Sequence, residues 1–173
     1  MSSVIAKNIL RWVIFMFIQI LLLKQVEVNF GWLTEMSLLF YPLFIILLPT
    51  RFSTISVMVV GFFTGLFVDV FYDSIGVHAA ASVFLGFIRP LAFNIFSPRE
   101  GYKVDLYPTV YNLGFPWFLR YSGFLLFGFC FFYFAMEAFT IVHFFQILKK
   151  TIVTFIFSFL IILVYMLIFN PKE

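Results

Sequence analysis

The residues of this chain best suited to chemistry lie between Gly61 and His78. Asp69 sits in an almost unbroken apolar run, four residues after Gly65 and eight after Gly61; Asp73, Gly76 and His78 follow before the next apolar run. An Asp at the middle of a bilayer costs ~2.5–3.5 kcal/mol on an insertion scale, so a carboxylate in such surroundings needs a use. Three uses are open for Asp69: a hydrogen-bond anchor for the turn at 73–76, a proton or cation site, or a polar contact for a partner. Small residues four apart share one helix face and let another backbone approach closely. Gly61 and Gly65 therefore mark a tight contact, with a helix of the same chain or with a different protein. Asp69 shares their face and so looks toward protein, not lipid. Asp73 and Ser74 are expected to cap the following helix, because Asp and Ser accept hydrogen bonds from its first free N–H groups. Gly76 permits a tight entry. His78, on the first turn of that helix, is placed to face Asp69, a pairing that favours the charged forms of both.

Other chemistries lack their parts. A metal site needs more ligands than this cluster offers, and His143 is the only other histidine. No HExxH and no phosphate-cradling glycine loop occurs, and no serine has a base at a recognisable spacing. Asp69 and Asp73 lack the local motifs that an aspartyl intramembrane protease places on separate helices. The expectation is a non-enzymatic chain with no cofactor, no metal and no nucleic-acid partner. Cys130, alone among Phe residues, reads as a small apolar filler.

The elements that carry these residues follow from composition. Of 173 residues, 64% are hydrophobic and 11% charged, and the mean hydropathy is +1.10. That is the signature of an integral membrane protein. No ten-residue alternation of polar and apolar residues recurs, so helices and not a β-barrel must satisfy the backbone in lipid. The expected fold class is an all-α polytopic membrane protein, one domain over 1–173, with about six transmembrane helices of the length a bilayer requires. Their expected spans are 5–23, 36–49, 53–72, 75–96, 120–139 and 151–170, with a loop at 97–119. The second is short and carries Pro42, so it is kinked, extends back toward Phe30, or re-enters without spanning.

Lys and Arg favour both termini on the cytoplasmic side. That side collects Lys7, Arg11, Arg51, Arg89, Arg99, Lys103, Arg120 and Lys172; Lys24, Lys149 and Lys150 dissent. The 97–119 loop mixes Arg99, Glu100, Lys103 and Asp105 with Tyr102, Tyr107, Tyr111 and Trp117, which suits either a segment in the headgroup layer or a partner-docking loop. Arg89, inside the fourth apolar run and followed by Pro90, either snorkels or pairs in the bundle, with Glu100 and Asp105 as candidates. Glu137 and His143 near the fifth helix are a similar case.

The stretch GFFTGLFVDVFYDSIGVHAA (61–80) resembles the central signature of the rod shape-determining protein MreD family. Gly65, Asp69, Gly76 and His78 match it, with Gly61 a softer match. The resemblance implies a protein of the bacterial inner membrane, acting with MreC, a single-span protein with a periplasmic coiled coil. It implies further links to the RodA glycosyltransferase and its transpeptidase partner, and to cytoplasmic MreB filaments. The implied fold is similar to the six-helix substrate-binding subunits of energy-coupling-factor vitamin transporters, and such a transporter subunit is the rival function. On either reading Gly61, Gly65, Asp69, Asp73, Gly76 and His78 form the partner-binding or structural turn.

Overall fold

The computed structural model describes residues 2–25, 28–30, 33–74, 76–98, 101–102, 106–139 and 144–169. Arg99, Glu100, Lys103, Asp105, His143 and Lys172 lie outside the described residues, as does the side chain of Lys7. Helix α1 (Ser2–Phe17) runs straight into a π-helical turn, Ile18–Leu23. A short antiparallel pair follows, β1 (Val28–Phe30) with β2 (Leu33–Met36). Beyond it come α2 (Pro42–Ile46), α3 (Thr54–Tyr72), α4 (Val77–Ile95), α5 (Val110–Leu113), α6 (Phe115–Ala138) and α7 (Phe144–Phe169). Four of these, α3, α4, α6 and α7, are long and apolar enough to cross a membrane, and Asn8–Leu23 is a shorter apolar helix.

Polarity is distributed as lipid requires. Phe17, Phe63, Val70, Phe87, Leu160 and Ile168 face outward, while Thr64, Ser82, Ser122, Thr151, Thr154 and Ser158 are buried. On α7 the buried Thr151, Thr154 and Ser158 recur at spacings of three and four, one inner stripe on a helix that is mostly apolar beyond Lys150. Lipid tails tolerate Phe and Leu, whereas the hydroxyls turn toward protein: Ser122 Oγ donates to Phe118 O on its own helix, and Thr151 and Thr154 Oγ1 have no partner among the described residues.

The second apolar segment departs from expectation. No helix spans 36–49: residues 38–49 are buried, yet only Pro42–Ile46 are helical. Pro42 lacks an N–H and its ring crowds the preceding turn of a helix, and here it opens one. Pro49 then forbids continuation. The unhelical backbone is satisfied by side chains from other elements. Gln19 Nε2 donates to the Leu38 carbonyl at 2.9 Å, and its Oε1 accepts from the N–H groups of Phe40 (2.7 Å) and Tyr41 (3.2 Å). Ser158 Oγ on α7 accepts from Leu39 N at 2.9 Å. At the far end, Tyr121 Oη on α6 donates to the Ile46 carbonyl at 3.3 Å, and Arg89 Nη2 on α4 donates to that of Leu48. Irregular backbone at membrane depth survives only when enclosed by protein in this way.

Two further boundaries move. Helix α6 begins at Phe115, not 120, because Pro116 falls in its first turn, where a missing N–H costs nothing. The expected loop at 97–119 therefore loses its last residues to α6, with Phe118 buried in the core. Helix α7 begins at Phe144, not 151, and takes in Lys149 and Lys150. Its 26 residues make about 39 Å of helix. That length exceeds the ~30 Å of a hydrocarbon core.

Helices α3 and α4 pack antiparallel at very short range. A Cβ on Gly61 would lie 2.7 Å from Ser82 O, one on Gly65 2.5 Å from Ala79 Cα, and one on Gly86 3.1 Å from Met58 Cα. Their connecting turn defines one end of the bundle, where Lys24 Nζ donates to the Phe71 carbonyl. The other end collects Arg11 over the Tyr107 ring, Arg51, Arg89, and Arg120 one turn beyond Trp117, whose Nε1 donates to Phe96 O.

Candidate functional site

The α3–α4 turn is built on one carboxylate. The buried face of α3 is Val57, Gly61, Thr64, Gly65, Val68 and Asp69, the three- and four-residue spacing that points Asp69 at α4. Asp73 closes α3 in the left-handed conformation (φ 52°), its N–H donating to the Asp69 carbonyl. Ser74 N donates to the same carbonyl at 3.3 Å. Gly76, also left-handed (φ 78°, ψ 8°), is the N-cap of α4 and offers no side-chain acceptor.

Asp69 supplies what Gly76 lacks. Its Oδ1 accepts from His78 N at 3.0 Å and its Oδ2 from Ala79 N at 2.9 Å. Those are the second and third residues of α4, the donors a capping side chain normally takes. Oδ1 also accepts from Ser74 Oγ at 2.6 Å and lies 3.1 Å from His78 Nδ1. Ser74 Oγ is 2.9 Å from the same ring nitrogen. A carboxylate that only accepts fixes the proton on Nδ1. Asp69 thus terminates α3 with its carbonyl and starts α4 with its side chain, and its negative charge lies at the positive end of α4.

His78 is fully buried among Tyr41, Tyr72 and Tyr133, with ring centroids 5.9, 5.0 and 4.8 Å away. Its Nε2 has no hydrogen-bond partner among the described residues. Tyr72 Oη accepts from Gln19 Nε2 at 2.6 Å, so the turn is joined to the amide that holds the broken segment.

The expected capping by Asp73 and Ser74 is corrected. Helix α4 starts at Val77, too late for a cap at 73 or 74, and the exposed Asp73 instead ends α3. Ser74 reaches the cap only through Asp69. Gly61 and Gly65 both face α4, at Ser82 and at His78 and Ala79. Arg89 does not snorkel. It is 3% exposed, with Nε donating to Tyr121 Oη at 3.1 Å, Nη2 donating to Leu48 O, and the guanidinium 5.1 Å from the Phe93 ring centroid. Glu137 lies 3.7 Å from Lys150 Nζ at the surface. Among the described residues no three His, Cys, Asp or Glu side chains converge.

Sequence reasoning passed over Gln19, Tyr121 and Ser158. The signal for Gln19 was present: an amide in the middle of the apolar run Trp12–Leu23, a residue that in lipid must find partners in protein. Its donor and acceptor match a peptide group, which an extended neighbouring strand of chain supplies.

Comparison with protein-family models, with curated proteins and with solved structures finds no match to this chain.

Proposed function

We propose that this chain is a non-enzymatic inner-membrane component of the bacterial cell-elongation complex. In this reading it holds an MreC-like single-span protein and, with it, a RodA-type synthase and its transpeptidase, in register with cytoplasmic MreB. The observation that carries the reading is the commitment of Asp69. Both its oxygens are taken by backbone and side-chain donors of the same hairpin, as befits a structural turn and not a group that takes up protons or substrate. The matched residues Gly65, Asp69, Gly76 and His78 all belong to that one construction: close approach, cap, tight entry and buried partner. What recurs in the family signature is then a rigid hairpin end, a fit docking point for a partner.

Six crossings follow if α1 with its π turn and the broken segment 37–49 each traverse the bilayer beside the four long helices. The broken segment runs from Gln19 at one end to Arg89 at the other. Its mixture of extended and helical rise gives about 30 Å, the thickness of the hydrocarbon core. Arg11, Arg51, Arg89 and Arg120 gathered at one end, against Lys24, Lys149 and Lys150 toward the other, favour that end as the cytoplasmic one by the positive-inside rule. The α3–α4 turn is then periplasmic, within reach of a periplasmic coiled coil. The transporter reading draws on the same six-crossing fold, but it needs Asp69 and His78 open to a ligand, and both are buried.

Depletion in the native host tests the reading. Rod-shaped cells are expected to widen and round as the chain is lost, and rods that keep their width through depletion would contradict it.

A further inference from the structure

Arg89 is a cation taken out of water with no carboxylate beside it among the described residues. Its two hydrogen bonds go to neutral acceptors, Tyr121 Oη and the Leu48 carbonyl. A guanidinium carries five N–H donors, and a buried ion without a counter-charge costs several kcal/mol. Arg89 also lines a cavity of about 260 Å³ at the basic end of the bundle, together with Thr50, Thr54, Phe93, Asn94 and Tyr102. Thr54 is the first residue of α3, so the positive end of a 19-residue helix adjoins the same space. The cavity falls below the ~300–1,000 Å³ of pockets for drug-sized ligands, the size for a small group and not a whole cofactor.

We infer that this cavity seats a phosphate group, with Arg89 as its counter-charge. Arg binds carboxylate and phosphate alike through its planar fork. The other polar lining decides between them: Thr50 comes from the segment before α3, Thr54 from the start of α3 and Asn94 from the last turn of α4, and donors drawn from three places suit a tetrahedral anion with several oxygens better than a planar carboxylate. Its level in the fold agrees. Thr50 and Tyr102 belong to the connecting segments outside the apolar helices, at the end of the bundle where the arginines gather. The group arrives either on a lipid headgroup or as a free phosphate. The inference stands apart from the elongation-complex reading and does not depend on it.

The test is thermal unfolding of the full chain in an uncharged detergent, in two arms at constant ionic strength. One arm adds inorganic phosphate against chloride; the other adds phosphatidylglycerol against an uncharged diacylglycerol. A stabilisation in the lipid arm alone assigns a headgroup, in the phosphate arm alone a soluble ligand, and in both the shared group. Asn94→Leu removes a cavity donor without touching the bonds of Arg89. It is expected to unfold at the wild-type temperature when unliganded and to need at least about fivefold more ligand for half the shift, roughly 1 kcal/mol of lost binding. Arg89→Lys, which keeps the charge and loses the fork, is expected to weaken the response further. No stabilisation of wild type in either arm would overturn the inference, as would an undiminished response in both variants.

Discussion

Asp69 and Asp73 lie one helical turn apart and do opposite things. Asp69 is buried and holds the start of α4, while Asp73 is exposed and serves through its backbone. Asp69→Ala leaves the N–H groups of His78 and Ala79 buried without acceptors, at about 1–3 kcal/mol for each unsatisfied group. Asp69→Asn keeps the shape but loses the charge at the helix end and sets an NH2 against one of these donors. Both variants are expected to insert in the membrane and to melt well below wild type in detergent, Ala lower than Asn. Recovery of a partner protein with Asp69→Asn should fall in step with the loosened turn. Asp73→Gly, in contrast, relieves a left-handed residue, and is expected within about 1 kcal/mol of wild type. Equal melting of Asp69→Ala and wild type would remove the cap from the account.

Among the elements, the α3–α4 pair and the broken segment carry the two sharpest expectations. Gly65→Ala drives a methyl into the backbone of Ala79, with no flexible side chain to yield. Overpacking of this kind costs ~1–3 kcal/mol or more. Gly123→Ala meets only the Phe159 ring at 3.5 Å, an ordinary contact, and removes glycine from a helix interior. Detergent melting should therefore fall for Gly65→Ala and hold or rise for Gly123→Ala; equal losses would mean that α3 and α4 are not in close contact. Gln19→Leu strands the N–H groups of Phe40 and Tyr41 and should open the segment before Pro42 to proteolysis while α3 and α4 stay protected. Protection of that segment in Gln19→Leu would show that Gln19 does not hold it. The Gly pair, the facing Asp and the long apolar runs were legible because each rests on helical spacing within a few residues. The cap was misassigned to Asp73 and Ser74 because Gly76 delays the helix start, and a left-handed residue is silent in the spacing pattern. The second segment was illegible for a different reason: its partners, Gln19, Arg89, Tyr121 and Ser158, lie far along the chain, and only the tertiary fold brings them to its backbone.

At the scale of the whole molecule, the polar groups are spent inside and the apolar ones face out, so what the chain presents to a partner is its ends. With Cys130 replaced by Ser, a cysteine at the exposed Asp73 should react with a membrane-impermeant maleimide in cells whose outer layers alone are opened. One at the exposed Ser97 should react only after the inner membrane is breached. The reverse pattern would invert the orientation and move the α3–α4 turn away from any periplasmic partner. What the chain is bound to in its own host decides between scaffold and transporter. The direct measurement is purification of the tagged chain in a mild detergent, with the co-purifying proteins identified by mass spectrometry. Recovery of a single-span coiled-coil protein together with cell-wall synthases is the predicted result. Recovery of paired ATPases with a coupling membrane subunit would contradict it and assign the chain to a transporter.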